Sequence, residues 1–153
     1  MTSVSGFTTY ISTSGSELTI THAEDGSVYS TDLFIGPNSN FSDYGGNLTF
    51  ANISNADLVN SYSDGMQFNV SNFSGVDFSN STHINADFWR VNLTNANFTN
   101  TNLSGTTRGV SFGNTILDGA VFTGATLLNV EFSPISAKGA DFRFTDLSQS
   151  SYF

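Results

Sequence analysis

Large hydrophobic side chains recur at every fifth position over most of this chain. From residue 48 to residue 103 these positions carry Leu, Ile or Phe, and only Ser63 and His83 interrupt the series. Around Arg108 the series shifts by one position, and it then continues from Phe112 to Tyr152. A period of five belongs to neither an α-helix nor a β-strand, whose periods are 3.6 and two residues. The pattern therefore predicts a five-residue structural unit with a buried central side chain.

The positions before each central residue are also regular. Small or β-branched residues, such as Ala51 and Thr115, stand two positions before the centre, and Asn or Asp is the commonest residue one position before it. The second set is Asn52, Asp57, Asn72, Asp77, Asp87, Asn92, Asn97, Asn102, Asp141 and Asp146. Asn and Asp suit tight corners because they tolerate unusual dihedrals and bond the nearby backbone. We therefore expect a corner in each unit.

Units such as ANISN, ADLVN, ADFWR, ANFTN and ADFRF resemble the pentapeptide-repeat family, whose consensus is A(D/N)LXX. AVFTG is a further copy that lacks the Asp or Asn. The resemblance covers residues 46–153 and implies an all-β fold, a right-handed quadrilateral β-helix of about five coils. In that fold four pentapeptides form one coil and the central Leu or Phe points inward.

Burial of the central side chains also requires a coil of this kind. One five-residue unit cannot bury its own aromatic side chain, but four units turning through a square bring four centres together. Coils would then stack at strand spacing, about 4.8 Å, so that each Phe meets the residue twenty positions later.

Residues 1–45 lack the five-residue period and are predicted to form a separate docking or capping segment before the solenoid of residues 46–153. The stretch SELTITHAEDGSVYSTDLFIG predicts a β-hairpin around Asp25-Gly26, and Phe7, Tyr10 and Ile11 are candidates for a third strand. The hairpin places Leu18 opposite Leu33, Ile20 opposite Thr31 and His22 opposite Tyr29. We expect Leu18, Ile20, Tyr29 and Leu33 to pack over the first coil, pair with another chain, or both, because a hairpin of this size is marginal alone.

Charge and composition narrow the classes of function. The 153 residues include 13 acidic and 4 basic side chains, a net charge of −9, which argues against binding nucleic acid or an anionic membrane. There is no Cys, no apolar run long enough to span a membrane and no signal-peptide pattern. No cofactor or metal is predicted, and an enzymatic role is not favoured.

Two pairs of polar residues are candidates for chemistry. Ser63 and His83 occupy central positions one coil apart, and an interior hydrogen-bonded pair is favoured over a nucleophile with its base. Asp57 and Asp77 are also one coil apart. For them a corner-bonding role is favoured over a metal site, because Asn or Asp is the commonest residue at that position of the repeat.

One side of the predicted rod combines outward apolar residues with Trp and Arg. This side, which we call face A, is predicted to carry the units whose central residues are 48, 68, 88, 107/108, 127 and 147. Its outward residues are Phe50, Val70, Trp89, Arg90, Arg108, Val110 and Leu128. That composition is typical of an interface core, while scattered surface hydrophobic residues remain the alternative. The last coil, with Phe144, Tyr152 and Phe153, is expected to be uncovered and to bind either the N-terminal segment or, as we favour, a partner.

These features favour a structural or interaction protein that forms a homo-oligomer. Low charge and abundant Ser, Thr, Asn and Gly are typical of virion surface proteins, so we predict a phage-type capsid cement, decoration or tail-appendage protein that binds sister subunits or the capsid shell. It would be located in the virion if phage-encoded and otherwise in the cytoplasm.

The alternative is a DNA mimic that acts on a type II topoisomerase, as the resemblance to quinolone-resistance pentapeptide proteins implies. Residues 48–153 hold eight acids and four bases, a net charge of 4 − 8 = −4. A rod about 25 Å long that imitated B-DNA would present about 15 negative charges. The charge count therefore disfavours mimicry.

Overall fold

The computed structural model describes residues 10–11, 17–18, 21–22, 36–41, 48–106 and 109–152. The described elements are short β-strands joined by turns: β1 (Tyr10–Ile11), β2 (Glu17–Leu18), β3 (Thr21–His22), β4 (Ala51–Asn52), β5 (Tyr62–Asp64), β6 (Thr82–Ile84), β7 (Val110–Ser111), β8 (Val130–Phe132) and β9 (Ser151–Tyr152). Within these ranges no helix is long and apolar enough to cross a membrane.

Four parallel ladders run along the repeat region and define a four-sided rod. Between Asn52 and Asn102 the parallel bridges within the rod join residues twenty positions apart, as in Asn52↔Asn72, Asp57↔Asp77, Tyr62↔Thr82 and Gln67↔Asp87. Because one coil takes twenty residues, it holds four pentapeptides, one on each side. The chain therefore forms the quadrilateral β-helix that the repeat predicts.

We number the sides by their central residues. Face 1 carries Leu48, Phe68, Phe88, Phe112 and Phe132; face 2 carries Ile53, Phe73, Leu93, Leu117 and Ala137; face 3 carries Leu58, Phe78, Phe98, Phe122 and Phe142; face 4 carries Ser63, His83, Leu103, Leu127 and Leu147. Backbone bonds hold successive coils together, with each central N–H donating to the next coil, as from Phe78 to the carbonyl of Asn97 at 2.8 Å.

The core consists of two parallel columns of stacked phenyl rings. On face 3, Phe98 lies between Phe78 and Phe122, with ring centroids 5.2 and 4.8 Å apart. On face 1, Phe88 lies 5.0 Å from Phe68 and 5.1 Å from Phe112. The two columns meet edge to face. Every one of these rings is buried, which confirms that the central side chains point inward.

The shift in the repeat is an insertion of four residues. Bridges across it join residues 24 positions apart, as in Asp87↔Ser111 and Asn92↔Ile116. The backbones of Gly105 and Gly109 come so close that a Cβ on Gly105 would collide with Gly109. The coil is therefore continuous in space from Gly105 to Gly109, although four residues separate these two positions in the sequence. An insertion of four and a loss of one look identical in a five-residue pattern, so the sequence alone misassigned the faces beyond this point.

Residues of the N-terminal part reach the first coil. Phe41 is fully buried, with its ring edge-on to Phe68 at 5.7 Å. Asn40 bridges Tyr62 in parallel, so coil-like pairing begins upstream of residue 46. Strand β3 pairs antiparallel with β4, which places His22 opposite Ala51.

Part of the predicted hairpin lies outside the described residues. Within them, β1 pairs antiparallel with β2, so that Tyr10 stands opposite Leu18. The turn at Asp25-Gly26 and the docking candidates Ile20, Tyr29 and Leu33 lie outside the described ranges. Their docking role stays a prediction.

Candidate protein-interaction face

The turn position two residues after the centre adopts a left-handed backbone in most of the described units. Its φ lies between 53° and 70° at the corners before residue 140. Asn and Gly are the residues that tolerate this region best. On faces 2, 3 and 4 every described left-handed corner before residue 140 is Asn or Gly: Asn55, Asn60, Gly65, Gly75, Asn80, Asn85, Asn95, Asn100, Gly119, Gly124, Asn129 and Gly139.

Face 1 breaks this rule at three successive levels. Phe50, Val70 and Arg90 occupy its corners with φ of 63°, 56° and 59°. Each such residue costs about 1–2 kcal/mol relative to an ordinary backbone, and a β-branched Val is the most strained choice. Local backbone preference therefore does not explain this column. Strain of this kind is found where function requires a particular side chain.

Trp89 and Arg90 form an ordered platform beside the strained column. Trp89 is 40% exposed, and the Arg90 guanidinium lies 4.8 Å from the centroid of its ring. The Trp89 N–H donates to Asn69 Oδ1 and Asp87 Oδ1, both at 3.1 Å. Asn69 Nδ2 in turn donates to Asp87 Oδ2 at 3.0 Å. These bonds fix the backbone that carries the two side chains.

The opposite edge of face 1 is polar and acidic. Its outward residues are Gln67, Asp87, Ser111 and Glu131, which follow one ladder along the rod. A groove of about 400 Å³ adjoins this edge, and Asp64 and Asn85 help to line it. Among the described residues, Arg143 forms an ion pair with Asp141 at 2.7 Å, whereas Arg90 contacts no carboxylate. Face 1 therefore has an acidic edge and an apolar edge with one cation.

Four of the seven residues predicted for face A lie together on face 1: Phe50, Val70, Trp89 and Arg90. The prediction was wrong for Val110, which is fully buried two positions before Phe112. Leu128 lies on face 4, where its neighbour Leu127 is the central residue, because the four-residue insertion moves that unit by one side. Arg108 lies outside the described residues.

Asp87 was missed as a part of this surface. From the sequence, Asp87 is expected only to bond its own corner. The sequence does indicate that Asp87 belongs to this surface, because Asp87 and Arg90 flank the same central residue, Phe88, and so lie in one unit.

The last described coil is less covered than the others. Phe142 and Leu147 are half-buried, and Phe144 is 86% exposed. Tyr152 belongs to β9, but neither its side chain nor Phe153 is among the described groups. That this coil contacts a partner stays a prediction.

A buried polar cluster lies inside face 4. His83 Nδ1 lies 2.8 Å from Ser63 Oγ, and His83 Nε2 lies 3.2 Å from Ser61 Oγ. Ser61 Oγ also bonds Ser81 Oγ, which donates to the carbonyl of Leu58. Burial lowers the pKa of His83 to about 3, so the ring is neutral. The predicted interior pair of Ser63 and His83 is confirmed, and because His83 and Ser63 are fully buried, the cluster cannot reach an external substrate.

Carboxylates along the rod bond their own corners. Asp77 Oδ1 accepts from the Ser79 N–H at 2.9 Å and from Asn97 Nδ2 at 3.0 Å. The side-chain bond from Arg143 holds the pKa of Asp141 well below its usual range, and hydroxyl bonds from Ser136 and Ser148 lower the pKa of Asp118 and Asp146. Among the described residues, no three His, Cys, Asp or Glu side chains are placed to hold a metal ion.

Among the solved structures similar to this chain, one supports the architecture. The chain is similar to the pentapeptide repeat protein Rfr23 from the cyanobacterium Cyanothece 51142, at 17% identity and a TM-score of 0.59 over 64% of this chain and 65% of that one. It therefore spans less than two thirds of Rfr23. HetL, a pentapeptide repeat protein involved in heterocyst differentiation regulation in Nostoc sp. strain PCC 7120, matches at 19% identity, with a TM-score of 0.49, over 81% of this chain and 65% of HetL. QnrB1, a plasmid-mediated fluoroquinolone resistance protein, matches at 27% identity, with a TM-score of 0.30, over 65% of this chain and 49% of QnrB1.

No curated protein sequence matches the chain. The family model for pentapeptide repeats matches residues 71–107, 108–133 and 115–151, with eight copies. These matches span more than half of the sequence and coincide with the coils described above. The chain belongs to the pentapeptide-repeat family.

Proposed function

We propose that this protein is a non-enzymatic structural protein that acts by binding other proteins through face 1. The observation that carries the proposal is the column of Phe50, Val70 and Arg90 at successive levels of face 1, in left-handed corners that Asn or Gly fill on the other three faces before residue 140. A side chain kept at a backbone cost is typical of a functional surface.

The composition of face 1 supports the same conclusion. Trp and Arg are among the residues most enriched at the energetic centres of protein interfaces, and the backbone that carries Trp89 is held by two hydrogen bonds. A fixed backbone reduces the entropy that is lost when the side chain is ordered on binding. The polar cluster around His83 supports a non-enzymatic role, because it is sealed inside the rod.

A more specific form of the proposal is a phage-type virion surface protein that cements or decorates a capsid. Low charge together with abundant Ser, Thr, Asn and Gly supports this form. The competing function, mimicry of DNA at a type II topoisomerase, requires a dense array of negative charge, whereas residues 48–153 carry a net charge of only −4, from eight acids and four bases. A gyrase supercoiling assay separates the two, since inhibition by the purified protein would favour mimicry and overturn the structural role.

Site-specific photocrosslinking tests the proposed surface directly. Benzoylphenylalanine at Ser133, in the same outward row of face 1 as Trp89, should form protein adducts in the cells that express the protein, and Trp89→Asp should abolish them. The same probe at Ser79 on face 3 is the matched control and should give few adducts. Equal adducts from both faces, or adducts that persist after Trp89→Asp, would contradict the assignment of face 1.

A further inference from the structure

We propose that the occupant of face 1 is face 1 of a second copy of this chain, with the two rods side by side and pointing in the same direction. This inference rests on the proposed function and deepens it, because it names the partner and its orientation.

The charge on face 1 is complementary to itself. Asp87 stands on one edge and Arg90 on the other edge of the same unit, on either side of Trp89. The chain has a net charge of −9 and only four basic side chains, so most of its surface repels a second copy. Arg143 is engaged by Asp141, whereas Arg90 contacts no carboxylate within the described ranges. A carboxylate from another copy is therefore the natural partner of Arg90.

Symmetry decides the orientation. Two copies that meet through the same face are related by a two-fold axis lying in the interface. If that axis is perpendicular to the rods, acidic edge meets acidic edge and Arg90 meets Arg90. If the axis is parallel to the rods, the edges exchange, and Arg90 of each copy faces Asp87 of the other. Only the second arrangement pairs opposite charges, and it aligns the rods in parallel.

The other residues of the face fit the parallel arrangement. Trp89 lies near the axis and meets its own counterpart, which gives the contact an aromatic centre. One level below, Val70 comes opposite Gln67 of the second copy, whose methylene groups it can cover. One level above, Asn114 comes opposite Ser111. Val70 and Arg90 thus supply an apolar and a cationic group at the levels where the second copy supplies Gln67 and Asp87.

The area of the face sets the strength of the contact. Five levels at about 4.8 Å give a face about 24 Å long. A single side of a narrow rod falls below the area of a standard interface, about 800 Å² per partner. We therefore expect a weak dimer that forms at micromolar to millimolar concentration and dissociates as salt screens the charges.

Reversing the charge of Arg90 or Asp87 tests whether these two residues pair between copies. Sedimentation equilibrium should show that the wild type dimerises, and that Arg90→Glu and Asp87→Lys each remain monomeric because like charges then face each other twice. An equimolar mixture of the two variants should dimerise again, since both contacts become attractive. Dimerisation of Arg90→Glu alone, or no recovery in the mixture, would overturn the inference.

Because Asp87 accepts bonds from Asn69 and Trp89, Asp87→Lys could disturb folding, and a second measurement avoids this residue. The chain has no Cys, so a single introduced thiol reports one contact. Ser133→Cys lies in the same outward row of face 1 as Trp89 and should be joined to its counterpart by a short bis-maleimide. Ser79→Cys on face 3 is the control and should stay unlinked. Absence of a link at residue 133 rejects parallel pairing.

The outcomes separate this inference from the proposed function. A wild type that stays monomeric, while Trp89→Asp abolishes the photoadducts to another protein, rejects the second copy and leaves face 1 as a binding surface. Dimers that link through Ser79→Cys reject face 1 for both purposes.

Discussion

Acidification should destabilise this protein through one buried side chain, His83. Both ring nitrogens bond hydroxyl groups, and the ring packs edge-on against Phe78 with centroids 4.6 Å apart. Burial lowers the pKa of His83 from 6.5 to about 3 in the folded protein. The unfolded chain therefore binds a proton at this residue between pH 6.5 and 3, whereas the folded protein does not.

The sign and size of the effect follow from this difference. Because the unfolded state takes up the proton, the free energy of unfolding falls as the pH falls below 6.5. Between pH 6.5 and 3, each pH unit changes the free energy of unfolding by about 1.4 kcal/mol. The step from pH 7 to pH 5 should therefore lower the free energy of unfolding by about 2 kcal/mol. The lowered pKa values of Asp118, Asp141 and Asp146 also favour folding, but their contribution is lost only as the pH falls through and below about 4. The interval from pH 7 to 5 therefore isolates histidine.

Equilibrium unfolding in urea, followed by far-UV circular dichroism at pH 7, 6 and 5, measures the effect. The comparison is the double variant Ser63→Ala/His83→Leu, which removes both partners of the 2.8 Å contact and leaves no unpaired group at that point. Its unfolding free energy should change by about 2 kcal/mol less than that of the wild type between pH 7 and 5. His22→Gln is the control for the second histidine and should keep the wild-type dependence. If the wild type and the double variant lose equal stability over this interval, the reasoning about His83 is refuted.

Three further predictions concern the rod itself, and urea unfolding checks each. Phe98→Ala should cost about 3–5 kcal/mol, because its ring is stacked on both sides; a loss below about 1 kcal/mol would contradict the stacked core. Val70→Asn should raise the unfolding free energy by about 1 kcal/mol, because Asn tolerates the left-handed backbone better than Val. The matched change Asn60→Val should lower the unfolding free energy by a similar amount. Effects of the same sign would show that these corners are not strained. Deletion of residues 106–109 makes the bridged residues twenty positions apart along the whole rod. The unfolding free energy should then change by less than about 1 kcal/mol, and the circular dichroism spectrum should stay the same. Loss of the fold would show that these four residues are required to close the coil.

The five-residue period determined most of the fold. It identified which side chains are buried, since a unit of five must always present the same position to the interior of a four-sided coil. Phe68, Phe88 and Phe98 are accordingly all buried. It also predicted the contact between Ser63 and His83, because two polar central residues twenty positions apart stack in one column and satisfy each other.

The tertiary structure decided which side of the rod each later unit occupies. A five-residue pattern does not distinguish the loss of one residue from the insertion of four, and only the bridges across the insertion, 24 residues apart, resolve it. For that reason Val110 is interior rather than exposed, and Leu128 lies on face 4 rather than face 1. The strained corners of Phe50, Val70 and Arg90 likewise became visible as one column only when coils were stacked, because they are separated by twenty residues in the chain and by one strand spacing in the rod.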